Sequence, residues 1–127
     1  MFSVEQIKNA EKRQEIVTNP WTNCKTLSDS ETYFGMYNKD KELVGFAAVQ
    51  KNNLVASITC FELEAFSNQA VLRDFFFKGV LGILSRQGMF FLQVEASCSA
   101  LMKEFDFEEN TIIEDLLKGS CSHDSSI

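Results

Sequence analysis

Two apolar runs separated by a short polar turn form the clearest pattern in the chain. Residues 43–50 (LVGFAAVQ) and 54–63 (LVASITCFEL) flank the tripeptide KNN at 51–53. Asparagine tolerates the left-handed backbone angles of a tight turn, so this spacing predicts a β-hairpin. A further strand is predicted at 32–37 (TYFGMY), because only the polar turn 38–42 separates it from the hairpin. We therefore expect an antiparallel meander of three strands.

The segment 67–88 has the pattern of a long helix that packs against a sheet. Its apolar side chains cover a wide arc of the helix surface. Ser67 stands where a capping residue is expected, and Gly88 stands where a helix ends in the left-handed conformation. Gly79 and Gly82 are expected to let the helix backbone approach the strands closely.

A first helix is predicted near the start of the chain. Residues 3–17 place apolar side chains mainly on one side, and Ser3 and Gln6 have the spacing of a capping box. The helix is expected to end before Asn19-Pro20, because a residue that precedes proline avoids the helical region.

The second half of the chain predicts three more elements. A strand is expected at 89–96, a short helix at 97–105 and a last strand at 110–113, followed by a polar tail at 119–127. We expect 89–96 to run parallel to the second hairpin strand, with the long helix as the crossover between them.

The predicted fold class is α/β in the α+β sense, with a mixed, mostly antiparallel sheet flanked by helices. With 127 residues, the chain has room for one domain, which we assign to 1–118.

Charge and composition exclude several classes of function. The net charge is −6 and the basic residues do not cluster, so neither nucleic acid nor an anionic membrane is expected as a partner. No apolar run approaches the ~20 residues of a membrane helix, and the first residues lack the apolar centre of a signal peptide. We expect a cytoplasmic protein.

The cysteines do not predict a metal site. Cys24, Cys60, Cys98 and Cys121 are far apart in the sequence, and free thiols are expected. Cys121 and His123 offer two metal ligands, with Cys98 as a third, and a Cys–His catalytic pair would need Cys121 or a more distant thiol to meet this histidine. A polar tail with one histidine supports neither strongly, so no metal is predicted.

Four motifs in order resemble the GCN5-related N-acetyltransferases (GNATs), particularly those that acetylate ribosomal-protein N-termini. They are NPWT (19–22), LVGFA (43–47), QG followed by MFFLQVEAS (87–97), and ALMKEFDF (100–107). The family's usual first strand before the helix is not predicted here, and its C-terminal hairpin is shortened.

The resemblance implies an acyl-CoA-dependent N-acyltransferase that holds acetyl-CoA between two diverging strands. Strand residues would contact the pantetheine arm, and the start of the long helix would hold the pyrophosphate. The cofactor-binding residues implied in this way are Phe61, Glu62, Leu63, Asn68, Gln69, Ala70, Val71, Leu72 and Arg73. Val71 and Arg73 stand where the family has glycines, so weakened binding is expected.

The resemblance also implies a catalytic base on a central strand and an acid on the helix that follows. Gln93 and Met102 occupy those positions and cannot serve, so Glu62 and Glu95 are the nearest candidates for the base. Both are also compatible with solvent-facing strand residues.

Two hypotheses on function therefore stay open. The chain is either a divergent N-acyltransferase with an amine acceptor, which is a small molecule or a peptide, or a non-catalytic domain that uses the same cleft to bind a partner or a small molecule. An unprotected sheet edge near 89–96 or 110–113 predicts a homodimer.

Overall fold

The described part of the chain forms a six-stranded sheet with helices on its faces. The computed structural model describes residues 2–22, 30–64, 70–95, 111–113 and 116. Within these ranges the elements are β1 Ser3–Ile7, α1 Ala10–Thr18, β2 Glu31–Tyr37, β3 Leu43–Asn52, β4 Val55–Leu63, α2 Ala70–Arg86, β5 Phe91–Val94 and β6 Thr111–Ile112.

The strands lie in the sheet in the order in which they occur in the chain. Neighbours from β1 to β4 pair antiparallel, β4 and β5 pair parallel, and β5 and β6 pair antiparallel. The predicted mixed, mostly antiparallel sheet is confirmed, and α2 connects two neighbouring parallel strands as expected. A homodimer through the β6 edge stays a prediction.

The predicted helix over residues 3–17 is wrong in its first half. Residues Ser3–Ile7 form a strand that pairs with β2, so the first strand judged missing from the sequence is present. The helix begins only at Ala10, with Asn9 as N-cap: its side chain accepts a 2.7 Å hydrogen bond from the Glu11 amide. Capping-box spacing is a local signal, and pairing with β2 outweighs it.

The predicted turn and helix end are confirmed. Asn53 adopts a φ of 55° between β3 and β4, as a tight turn requires. Gly88 has a φ of 89°, and the next amide, of Met89, donates to Leu84 O at 3.0 Å. This is the hydrogen bond that closes a Schellman motif, so α2 ends where the sequence predicted.

Only one of the two helix glycines makes the close approach expected of it. A Cβ on Gly79 would lie 2.7 Å from Val4, so α2 presses its backbone onto β1. A Cβ on Gly82 would meet only the end of Arg86 at 3.5 Å, so that part of the prediction is wrong. The strand that Gly79 contacts is the one the sequence did not predict.

Each face of the sheet carries its own core. The face covered by α2 has the larger cluster, in which Phe34, Met36, Ile58, Phe76 and Leu81 are all fully buried. The face covered by α1 has a smaller cluster, composed of Ile7, Ile16, Tyr33, Tyr37, Leu43, Phe46 and Ala48. We call these the α2 face and the α1 face.

Candidate functional site

Strand β4 contains a β-bulge in its middle. Its register with β3 skips one residue: Ile58 and Cys60 lie opposite consecutive residues of β3, and Thr59 between them has no partner. A bulge of this kind bends the strand and increases its twist.

Strands β4 and β5 separate at the same place. Their pairing ends at Ile58, whose carbonyl oxygen accepts a 3.0 Å hydrogen bond from the Glu95 amide. Beyond this point, among the described residues, 60–63 of β4 pair with β3 alone. We call the opening between 59–63 and the end of β5 the fork. The bulge explains this opening, because it bends β4 immediately after Ile58, the last residue that pairs with β5.

The backbone of β4 presents hydrogen-bonding groups to the fork. The Glu64 amide donates to Val44 O at 2.9 Å, which directs that residue toward β3. Backbone groups of successive strand residues point to alternate sides. The N–H and C=O groups of Phe61 and Leu63 are accordingly directed away from β3 and toward the fork.

The bulge also decides which face each β4 side chain occupies. Before it, Ala56 and Ile58 belong to the core of the α2 face; after it, Phe61 and Leu63 pack against the same core. Cys60 packs against the cluster of the α1 face instead. If Thr59 and Cys60 pointed to alternate faces as in a regular strand, Phe61 and Leu63 would lie on the α1 face instead.

Polar side chains gather on the α1 face beside the fork. Thr59 Oγ1 donates to Glu31 Oε2 at 2.5 Å, and the Tyr33 hydroxyl donates to Glu31 Oε1 at 3.2 Å. Tyr33 is only 1% exposed, so one of the two donors is fixed within the core. The Glu31 carboxylate on β2 is therefore hydrogen-bonded to Thr59, the residue of β4 at which the fork begins.

Two other polar pairs border the fork. Ser57 Oγ donates to Gln93 Oε1 at 3.2 Å and joins β4 to β5 just before the strands separate. Cys60 Sγ donates to Glu62 Oε2 at 3.4 Å. These two residues lie on the same face of β4, beyond the point at which the strands separate. Hydroxyl, amide, thiol and carboxylate groups therefore line this side of the opening.

Comparison with solved structures identifies the fold. The structure matches the ribosomal-protein-S18-alanine N-acetyltransferase of Escherichia coli with a TM-score of 0.62 at 13% identity, covering 84% of this chain and 75% of that one. It matches Tetrahymena GCN5 with a TM-score of 0.64 at 10% identity, covering 81% and 74%. It has the GNAT fold.

A third matching structure contains coenzyme A. The PaiA N-acetyltransferase of Thermoplasma acidophilum, solved in complex with coenzyme A, gives a TM-score of 0.62 at 10% identity over 88% of this chain and 96% of that one. No family model matches the sequence, and no curated protein matches it. The resemblance expected from four short motifs is thus confirmed at the level of the GNAT fold.

The two predicted catalytic carboxylates are not brought together. Glu95 follows β5 and is exposed, level with the start of the fork. Glu62 lies on β4 three residues beyond Thr59, which is roughly 10 Å further along the strand. Gln93, at the position where the family has its base, is hydrogen-bonded to Ser57.

The predicted cofactor residues lie in two described places. Phe61, Glu62 and Leu63 border the fork, and Phe61 packs its ring on Phe76 of α2 with centroids 4.9 Å apart. Ala70, Val71, Leu72 and Arg73 form the first turn of α2, which contains no acidic side chain. Several predicted features lie outside the described residues: Asn68, Gln69, the predicted cap Ser67, the predicted short helix at 97–105 with Met102, the tail, and all the cysteines except Cys60.

A pocket of about 230 Å³ opens on the α1 side of the sheet, where α1 and β4 end and β3 begins. Three carboxylates line it together with an aromatic ring and a small apolar floor. The lining residues are Glu15, Asn19, Trp21, Glu42, Leu43, Val44 and Glu64. No basic side chain is among them, so the pocket favours a positively charged guest.

The sequence missed Glu31 and Thr59 as site residues. Glu31 precedes a predicted strand and Thr59 lies within another, and nothing in the local pattern connects them. Only the pairing of β2, β3 and β4 in the sheet brings the Thr59 hydroxyl to the Glu31 carboxylate.

The described residues include neither a metal cluster nor a membrane helix. In that part of the chain, no three His, Cys, Asp or Glu side chains are placed to hold a metal ion. No helix found there is long and apolar enough to cross a bilayer.

Proposed function

We propose that this chain is a divergent acyl-CoA-dependent N-acyltransferase, which transfers an acetyl group to an amine. The observation that carries the proposal is the fork, where β4 separates from its parallel neighbour at Thr59 and directs the backbone groups of Phe61 and Leu63 into the opening. The match in fold to N-acetyltransferases, one of them in complex with coenzyme A, supports the same function.

The described residues fit the pantetheine arm of the cofactor. Pantetheine contains amide groups, and the backbone N–H and C=O groups of Phe61 and Leu63 can pair with them as an added strand would. The stacked rings of Phe61 and Phe76 close the α2 face beneath. Acyl-CoA, when bound there, supplies the thioester carbon that an amine attacks.

The pyrophosphate end fits less well, and the fit depends on α2. The first turn of a helix offers free amides and a positive dipole end, and here no acidic side chain opposes an anion. Arg73 adds a cation in the same turn. Val71, which is 76% exposed, stands at one of the family's glycine positions, where its side chain limits close approach by a phosphate.

The acceptor in this proposal is a cationic amine. The acidic pocket beside α1 gathers Glu15, Glu42 and Glu64 around the ring of Trp21, and both features attract ammonium groups. A small-molecule amine and a peptide N-terminus both meet this description. The chain then contributes by holding the amine and the thioester together, which is a large part of catalysis in acyl transfer.

A thermal melt with acetyl-CoA tests the proposal. At ~100 times its dissociation constant, a ligand adds roughly 2.7 kcal/mol, which raises the melting temperature by several degrees in a domain of this size. Free pantetheine and dephospho-coenzyme A, run in parallel, separate binding at the fork from binding at the phosphates. Because of Val71, the titration should extend to millimolar acetyl-CoA.

A double variant sharpens the test. Val71→Gly with Arg73→Gly should strengthen acetyl-CoA binding, although each glycine costs up to ~1 kcal/mol of helix propensity. Glu11→Gly with Gln14→Gly, at exposed positions of α1, is the matched control for that cost and should leave the shift by acetyl-CoA unchanged. If acetyl-CoA stabilises neither the wild type nor the Val71/Arg73 variant, the enzymatic function is refuted.

The same outcome favours a second candidate function, a non-catalytic binding domain with the GNAT fold. The observation in its favour is the exposure of Val71 and Phe75 on the outer side of α2, at 76% and 44%. Apolar side chains at the start of this helix suit contact with a partner better than a phosphate cradle.

A further inference from the structure

We propose that Glu31 is the base that takes the proton from the attacking amine. The inference rests on the proposed function, since it concerns a residue of the same fork. The role of base, assigned from the sequence to Glu62 or Glu95, goes to Glu31 instead. Glu31 lies on β2, on the other side of β3, and no sequence motif indicates it.

The position of Glu31 is the first argument. Thr59 is the first residue of β4 beyond the pairing with β5, and its hydroxyl donates to Glu31 Oε2. The carboxylate therefore lies on the α1 face at the start of the fork. The acidic pocket opens on the same face but at Glu64, five residues or roughly 16 Å further along β4, so an amine that reaches Glu31 must extend from the pocket toward Thr59.

The way Glu31 is held is the second argument. Two hydroxyl donors, one on each carboxylate oxygen, fix the group in one orientation, and Tyr33 supplies one of them from the core. Within the described residues no basic side chain forms an ion pair with Glu31. A base that is already oriented loses little freedom when it meets its substrate.

The two carboxylates predicted from sequence are placed less well for this role. Glu62 accepts a hydrogen bond from the Cys60 thiol and lies three residues beyond the start of the fork. Glu95 is exposed at the end of β5, where its carboxylate is free to reorient in solvent. Glu31 is half-buried, in contact with Thr59.

The proton and bond changes balance with Glu31 in this role. The ammonium group first loses one proton to Glu31 and becomes a neutral amine. The amine nitrogen then forms a bond to the thioester carbon, the bond from that carbon to sulfur breaks, and the second proton of the nitrogen passes through water to the departing thiolate. Glu31 releases its proton to solvent.

Two probe amines separate a proton-accepting role from a structural one. Butylamine is protonated near neutral pH and must lose a proton to react, whereas hydroxylamine is largely unprotonated there. Thiol release from acetyl-CoA is measured with each probe for wild type and for Glu31→Gln. We expect Glu31→Gln to lower the rate with butylamine by ~10²–10⁴-fold and the rate with hydroxylamine by no more than about threefold.

Two further variants accompany Glu31→Gln. Thr59→Val keeps the carboxylate but removes one of its donors, so the butylamine rate should fall by roughly tenfold without a matching loss with hydroxylamine. Glu11→Gln, an exposed carboxylate of α1, is the matched control and should behave as wild type. The melting shift by acetyl-CoA is measured for every variant to confirm that the fold and the cofactor site are intact.

Each other outcome overturns a distinct claim. Equal losses with both amines assign Glu31 a structural role, and rates near wild type with both remove it from catalysis; in either case the proposed acyltransferase function stands. A wild type that accelerates hydroxylamine alone refutes a base for cationic amines at this site. A wild type that neither binds acetyl-CoA nor accelerates either reaction refutes the proposed function, and Glu31's role with it.

Discussion

The two faces of the sheet use the same strands for different purposes. On the α2 face, β4 places Ala56 and Ile58 before the bulge and Phe61 after it into one apolar core. On the α1 face the same strand places Thr59 and Cys60 beside one another, close to a carboxylate and a buried hydroxyl. One face is filled for stability, and the other retains polar groups that a fold alone does not need.

The difference shows how a single extra residue creates a candidate site. Strict alternation would give β4 one apolar face along its whole length and keep it paired with β5. Thr59 breaks the alternation and the pairing at one point, and the polar groups of the α1 face collect there. The α2 face keeps its core because Thr59 and Cys60 both lie on the α1 face, which returns Phe61 to the α2 face.

Exchange of Phe61 and Glu62, as the double variant Phe61→Glu with Glu62→Phe, should have the largest effect, because it places a carboxylate against the apolar core of the α2 face. We expect a loss of more than about 4 kcal/mol in the free energy of unfolding, measured by urea denaturation. The matched control, Thr59→Cys with Cys60→Thr, exchanges two residues that both lie on the α1 face and should cost only about 1 kcal/mol. Similar losses for both double variants would show that the bulge does not set the faces.

Truncation of Ile58 tests the α2 face alone. Its side chain is fully buried in the larger core, so Ile58→Ala should lower the free energy of unfolding by about 2–5 kcal/mol. Val55→Ala, at a half-buried position of the same strand, is the comparison and should cost clearly less. Chemical denaturation measures both, and equal costs would contradict the packing described for this face.

Tyr37 tests the α1 face with the smallest expected effect. Its hydroxyl is buried and has no hydrogen-bond partner among the described residues, so Tyr37→Phe should stabilise the protein by about 1 kcal/mol at neutral pH. Burial, with smaller contributions from Glu15 and Glu5, raises the pKa of Tyr37 from 10.0 to about 12. The folded state therefore disfavours the tyrosinate form.

The sign of the pH dependence follows from that shift. A raised folded-state pKa gives stability that is fully present below pH 10 and is lost as the pH rises through about 12. Melting temperatures measured across this range should fall less for Tyr37→Phe than for wild type. Equal slopes would mean that Tyr37 ionises as readily in the folded chain as in the unfolded one.

Much of the fold was determined by local sequence. Asn53 and Gly88 specify backbone angles that few other residues adopt, so the hairpin turn and the end of α2 followed from residue type. The long apolar pattern of α2 and the order of the elements indicated a parallel crossover beside a meander, which the sheet confirms. These signals act over a few residues, and sequence shows them directly.

The tertiary structure decided the rest. Residues Ser3–Ile7 carry a capping-box spacing but became a strand, because β2 offers a full set of backbone partners and Gly79 leaves room for Val4. The bulge at Thr59 has no signature in its own residues; it arises from the register that both cores impose on β4. The contact between Glu31 and Thr59 depends on that register, because the two residues are 28 positions apart in the chain. Contacts of this kind depend on which strands become neighbours, and that is decided by the packing of the whole sheet.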